Sequence, residues 1–124
     1  MKKLLLSAGM VALLVTGGLP AQGHSQLISA YPRPGSTIVS APEKVVLEFN
    51  ENLINIGGAS NVLSVKNSIG QTVSTGFTAV DGAKVSIALS KRLPVGKYTV
   101  RWRIVSADGH PLAGRYSFTF RKKR

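Results

Sequence analysis

The feature that most constrains this chain is a period of two. From residue 44 onward apolar and polar side chains alternate over short runs, and no run there sustains a helical period. Val45, Leu47 and Phe49 share one side of the run Lys44–Phe49, with Lys44 and Glu48 on the other. Val85, Ile87 and Leu89 alternate with Ser86 and Ala88. Tyr98, Val100, Trp102 and Ile104 alternate with Thr99, Arg101 and Arg103, and Tyr116, Phe118 and Phe120 with Ser117 and Thr119. Such a pattern sets one face of a strand in a core and the other in water. Asn61 to Val65 reads as a further short strand and Lys66 to Gly70 as a turn. Proline and glycine fall between the runs, at Pro32, Pro34-Gly35, Pro42, Gly57-Gly58, Pro94, Gly96, Pro111 and Gly114. About seven short strands in roughly 100 residues predict an all-β, two-sheet Greek-key sandwich. Its expected central core is Val45, Leu47, Phe49, Val100, Trp102, Phe118 and Phe120. A sandwich by itself assigns no function.

Residues 1–23 read as a cleaved secretory signal peptide. Lys2 and Lys3 form the positive start, Leu4 to Val15 the apolar stretch, and Gly17, Gly18 and Pro20 break any helix. Ala21 and Gly23, small and two apart, suit signal peptidase. The apolar stretch is shorter than the roughly 20 residues of a spanning helix. Cleavage after Gly23 makes His24 the first residue of one mature domain, residues 24–124. Both methionines, Met1 and Met10, leave with the signal, and the chain has no cysteine. The mature protein therefore has no disulfide, no thiolate metal site, no lipobox thiol and no sulfur donor for Cu(I). Losing Lys2 and Lys3 leaves 14 basic residues against five acids, a net charge of +9. That surface suits anionic lipids or an acidic partner. Nucleic acid is not an expected partner for an exported chain. The run Arg121-Lys122-Lys123-Arg124 reads most simply as a solvated end.

The chain has two histidines, His24 and His110. An N-terminal histidine offers its α-amine and ring Nδ1 to one metal ion, closing a six-membered chelate ring. The α-amine has an ordinary pKa of about 8, so a metal displaces its proton readily. His110 ends Asp108-Gly109-His110, and residues i and i+2 of an extended backbone point to the same side. Three nitrogens and the oxygen of Asp108 suit Cu(II), which favours tetragonal N,O coordination and heads the divalent affinity order. Zinc prefers a tetrahedral set. Glu51, in Asn50-Glu51-Asn52 just past Phe49, reads as a weak ligand or as an acceptor that orients the coordinated amine. Plainer readings stand beside these. A terminal histidine can simply mark where a signal ended, Asp-Gly is a common hairpin dipeptide, and Glu51 can be an ordinary exposed acid.

The same residues resemble the CopC family of periplasmic copper-resistance proteins over nearly the whole mature chain. The likeness runs through the histidine start, Ser29-Ala30-Tyr31-Pro32-Arg33-Pro34-Gly35 and Leu47-Glu48-Phe49-Asn50-Glu51-Asn52-Leu53. It continues from Gly96 to Pro111, similar to the family's G-x-Y-x-V-x-W-R-x-x-S-x-D-G-H-P. The resemblance implies a seven-stranded cupredoxin-like or immunoglobulin-like barrel. It also implies one Cu(II) ion held by the amine and ring of His24 with Asp108 and His110, and Glu51 as an outer or weak ligand. Some members add a methionine-rich Cu(I) loop with its own histidine; this chain departs there, so a Cu(II) site only is expected. Some relatives are fused to a CopD-like membrane domain. Here the chain ends just after its last strand, so a CopD-like inner-membrane copper transporter is expected as a separate chain.

The leading expectation is a monomeric periplasmic Cu(II) carrier, buffer or resistance protein, not an enzyme. Copper monooxygenases with an N-terminal histidine have similar nitrogen donors, but they need open copper positions and a broad docking face. Asp108 would fill one such position. A metal-free interaction module is the third reading, permitted by the sandwich and the basic surface.

Overall fold

The computed structural model describes residues 26–57 and 59–124. The expected signal peptide and His24 lie outside these residues. The strands are β1 (Leu27–Tyr31), β2 (Thr37–Ile38), β3 (Lys44–Phe49), β4 (Val62–Lys66), β5 (Ser74–Asp81), β6 (Lys84–Leu89), β7 (Gly96–Val105) and β8 (Pro111–Phe120). They form two four-stranded sheets, ordered β1-β3-β6-β5 and β2-β8-β7-β4. The β2–β8 pair is parallel and the other pairs are antiparallel. This is the expected Greek-key sandwich, with its core between the sheets.

Strand count exceeds the expected seven by one, because β2 is only two residues long and too short to show alternation. The edge strands β1 and β5 also escape the period-two pattern. Each contains a register shift, between Leu27 and Ser29 and between Thr75 and Ala79. The shift inserts one residue into β1 and two into β5, and interrupts the ladder in each. In β5 Phe77 lies within the shift, on the outward face, and is 97% exposed.

Val45, Leu47, Phe49, Val100 and Phe118 are buried as expected, while Trp102 and Phe120 are only partly buried and pack against that core. Tyr98 takes the central place, stacked on Phe118 with ring centroids 5.4 Å apart. Its hydroxyl donates to the Pro94 carbonyl, and burial raises its pKa. Tyr116 likewise donates to the Pro32 carbonyl at 2.6 Å, and burial pushes its hydroxyl well up. A buried tyrosine needs such a partner for its polar end. Trp102 lies opposite Gly114 in the β7–β8 register. A Cβ at Gly114 would sit 2.4 Å from Trp102 Cζ2, so the indole covers that glycine. Its other neighbours are Phe49, centroids 6.4 Å apart, and Tyr116, at 6.0 Å.

Candidate metal centre

The β7–β8 connection carries the first candidate ligands. Ser106 N donates to His110 O at 2.9 Å, and Gly109 N donates back to Ser106 O at 2.8 Å. Gly109 takes φ +92°, a left-handed conformation that a side chain resists. Asp-Gly is therefore a hairpin dipeptide here, and the turn also joins the two candidate ligands. Asp108 and His110 come together because the chain reverses between them, not because it is extended.

Ser106 organises the pair. Its side chain is fully buried. The Ser106 hydroxyl donates to Asp108 Oδ1 and accepts from His110 N at 3.2 Å. Asp108 Oδ1 also accepts from His110 N at 3.3 Å and lies 2.9 Å from His110 Nδ1. Donation from Ser106, then from the His110 ring, holds the Asp108 carboxyl down at about 2. Both side chains are half exposed, 55% for His110 and 52% for Asp108. With Nδ1 on the carboxylate, a metal would be taken by His110 Nε2, the carboxylate–imidazole arrangement common at metal sites. Asp108 Oδ1 already accepts three donors, and with its carboxylate on Nδ1 Asp108 stands on the ring side away from Nε2, so it joins the same ion only by releasing Nδ1. This pair fits a borderline divalent cation.

Glu51 sits in the loop after β3, and that loop is laced to the end of β7. Leu53 bridges Ser106, and Ala107 N donates to Asn52 O at 2.9 Å. Leu53 N donates to Gly82 O at 2.9 Å, which holds the loop on the β5–β6 hairpin. Asn61 completes the lacing. It is 7% exposed, donates through Nδ2 to Ile54 O at 2.6 Å and accepts from Val105 N at 2.9 Å through Oδ1. Glu51 does not join the Asp108–His110 pair. Among the described residues no group of three His, Cys, Asp or Glu side chains is placed to hold a metal.

Gln26, the first described residue, meets Asn50, the neighbour of Glu51 in sequence. Gln26 N donates to Asn50 Oδ1 at 2.7 Å, and Asn50 N donates to Gln26 O at 2.9 Å. Sequence reasoning missed three supporting residues: Ser106, Asn50 and Asn61. Ser106 stood inside the quoted S-x-D-G-H run without an assigned role. Asn61, a single amide at the start of an apolar run, carried no local signal.

Comparison with known proteins agrees with this architecture. The CopC domain family model matches residues 27–121. Copper resistance protein C of Escherichia coli is 35% identical over 118 residues, 86% of this chain and 93% of that protein. The crystal structure of CopC from Methylosinus trichosporium OB3b matches with a TM-score of 0.71 at 27% identity, covering 82% of this chain and 97% of that one. PcoC, a methionine-rich copper resistance protein from Escherichia coli, matches with a TM-score of 0.66 at 31% identity, over 80% of this chain and 100% of its own. This chain has two methionines, both in its first ten residues, and so differs from a methionine-rich relative. With the family model spanning both sheets and the Ser106–His110 turn, the chain belongs to the CopC family of copper resistance proteins.

Proposed function

We propose that the protein binds one Cu(II) ion in the periplasm and carries or buffers it, without catalysing a reaction. The observation that carries this reading is the Asp108–His110 pair, Nδ1 to Oδ1 2.9 Å, set in a turn laced to the loop that receives Gln26. His24 is two residues from Gln26, and two residues of chain span at most about 7 Å. Cleavage after Gly23 frees an amine and a ring nitrogen tethered by two residues to Gln26, which bonds Asn50. His24 supplies two nitrogens, His110 a third and Asp108, on releasing His110 Nδ1, an oxygen, while Glu51 accepts a hydrogen bond from the coordinated amine. Four protein donors fill the plane Cu(II) binds most strongly and leave oxygen chemistry no strong position. Family membership supports copper as cargo, and the lack of a sulfur donor after residue 10 supports the oxidised ion. The protein acts as a monomer, with a CopD-like membrane transporter as its partner.

The test compares protein starting at His24 with protein carrying one additional residue before it. Copper titration followed by paramagnetic resonance should give three nitrogen donors for the first. The second should bind far more weakly, because its amine has become a peptide nitrogen. Equal affinity and equal nitrogen count in both would show the site to be misassigned.

A further inference from the structure

The outward face of the β2-β8-β7-β4 sheet carries charge of one sign. Lys66 on β4, Lys97, Arg101 and Arg103 on β7, and Arg115 on β8 all point outward and are exposed. No outward position of these strands holds an acid. Of the five acids, Glu43, Glu48, Glu51 and Asp81 lie on or beside β3 and β5 of the other sheet, and Asp108 lies in the β7–β8 turn. Among the described residues no carboxylate lies within ion-pair distance of these five cations.

Register makes the arrangement costly. Arg101 and Arg115 stand directly opposite each other, and Arg103 is two pairs further along, opposite Ala113 on the same face. Like charges facing across a ladder destabilise it. The three arginines rim a shallow depression of about 480 Å³, with Val62, Ser64 and Ala113 among its lining. Small side chains between long cationic ones create that hollow. Guanidinium forks match the paired oxygens of a phosphate.

We infer that this sheet face is a docking surface for the phosphodiester head groups of an anionic bilayer. The inference is independent of the copper assignment. Charge complementarity carries it, and the chemistry of the face selects the occupant. Lys97 and Arg103 are six residues apart on one strand, so the cationic stripe runs about 20 Å. Basic Arg121–Arg124 continues from the β8 end nearest Lys97. Thr99, Ser117 and Thr119 fill the gaps between charges. Among the described residues, Val62 is the one large hydrophobic side chain that this face exposes. A protein partner needs an apolar or aromatic centre that sheds water. A lipid surface needs only an area of opposite sign.

The test uses protein from His24 onward, which contains every strand and the whole core described. It is sedimented with vesicles of neutral phosphatidylcholine or of phosphatidylcholine mixed equally with anionic phosphatidylglycerol. Binding should require the anionic lipid and fall steeply between about 0.05 and 0.5 M salt. R101Q/R103Q/R115Q should weaken it about a hundred-fold, roughly five-fold for each of the three charges withdrawn from the surface. K44Q/K84Q/K91Q removes the same charge elsewhere and should cost less than about a third of that effect on a logarithmic scale. Equal loss in the two triple variants would reduce the effect to net charge and overturn the inference. Binding to an acidic peptide but not to the anionic vesicles would overturn it in favour of a protein partner.

Discussion

Gly114→Ala tests how the only tryptophan is packed. The added Cβ would meet Trp102 Cζ2 at 2.4 Å, Cε2 at 2.8 Å and Cη2 at 3.0 Å. Carbon atoms rest at about 3.5–4.0 Å, so the indole must move by about 1 Å or more. Phe49, 1% exposed, blocks one direction, and Tyr116 crowds another. No hydrogen bond among the described residues anchors the ring, since buried Trp102 Nε1 has no partner there. Packing alone therefore sets the cost. Overpacking of this kind costs about 1–3 kcal/mol. An opposing term comes from the unfolded chain, because alanine has less freedom to lose, and stabilises by about 0.4–1 kcal/mol. Overpacking wins by about 1–2 kcal/mol, which lowers Tm by roughly 5–15 °C in a domain of this size. Thermal melting followed by tryptophan emission reads this directly, as Trp102 is the sole fluorophore of its kind. In a Trp102→Leu background the same substitution should become neutral or stabilising, a coupling between neighbours. A variant melting at or above the parent, with emission unshifted, would refute the packing described.

Two further predictions concern the turn and its lacing. In metal-free protein, NMR titration should find the Asp108 carboxyl near 2, and Ser106→Ala should move it up toward the ordinary 3.8. Because folding lowers this pKa, its contribution to stability is present above about 4 and is lost as pH falls toward 2. That acid-side loss should shrink in Ser106→Ala, and an unmoved titration would remove Ser106 as the cause. Asn61→Ala strands Val105 N and Ile54 O and should cost about 2–3 kcal/mol in urea unfolding, with copper affinity falling as the Glu51 loop loosens. A loss below about 0.5 kcal/mol would show that other groups carry the lacing.

Local pattern was enough for the inward faces of β3, β6, β7 and β8, since alternation needs no knowledge of what lies across the sheet. Five of seven expected core residues are buried on that basis. Trp102 and Phe120 stop short of full burial because side-chain direction is local, but depth depends on what lies opposite. For Trp102 that is Gly114, twelve residues away. The bulged edge β1 was hidden because one inserted residue erases a period of two, and β5 because its half-buried positions include the polar Ser74 and Thr78. At the site, Asp108 and His110 stand close in sequence, so their pairing was legible, although a turn rather than extended backbone produces it. The setting of Glu51 was not legible. Its loop reaches the β7 end through Asn61, Leu53 and Asn52, which act across 44, 53 and 55 residues of chain. Hydrogen bonds of that span leave no periodicity for a sequence to display; they form only once both sheets have packed and withdrawn the competing water.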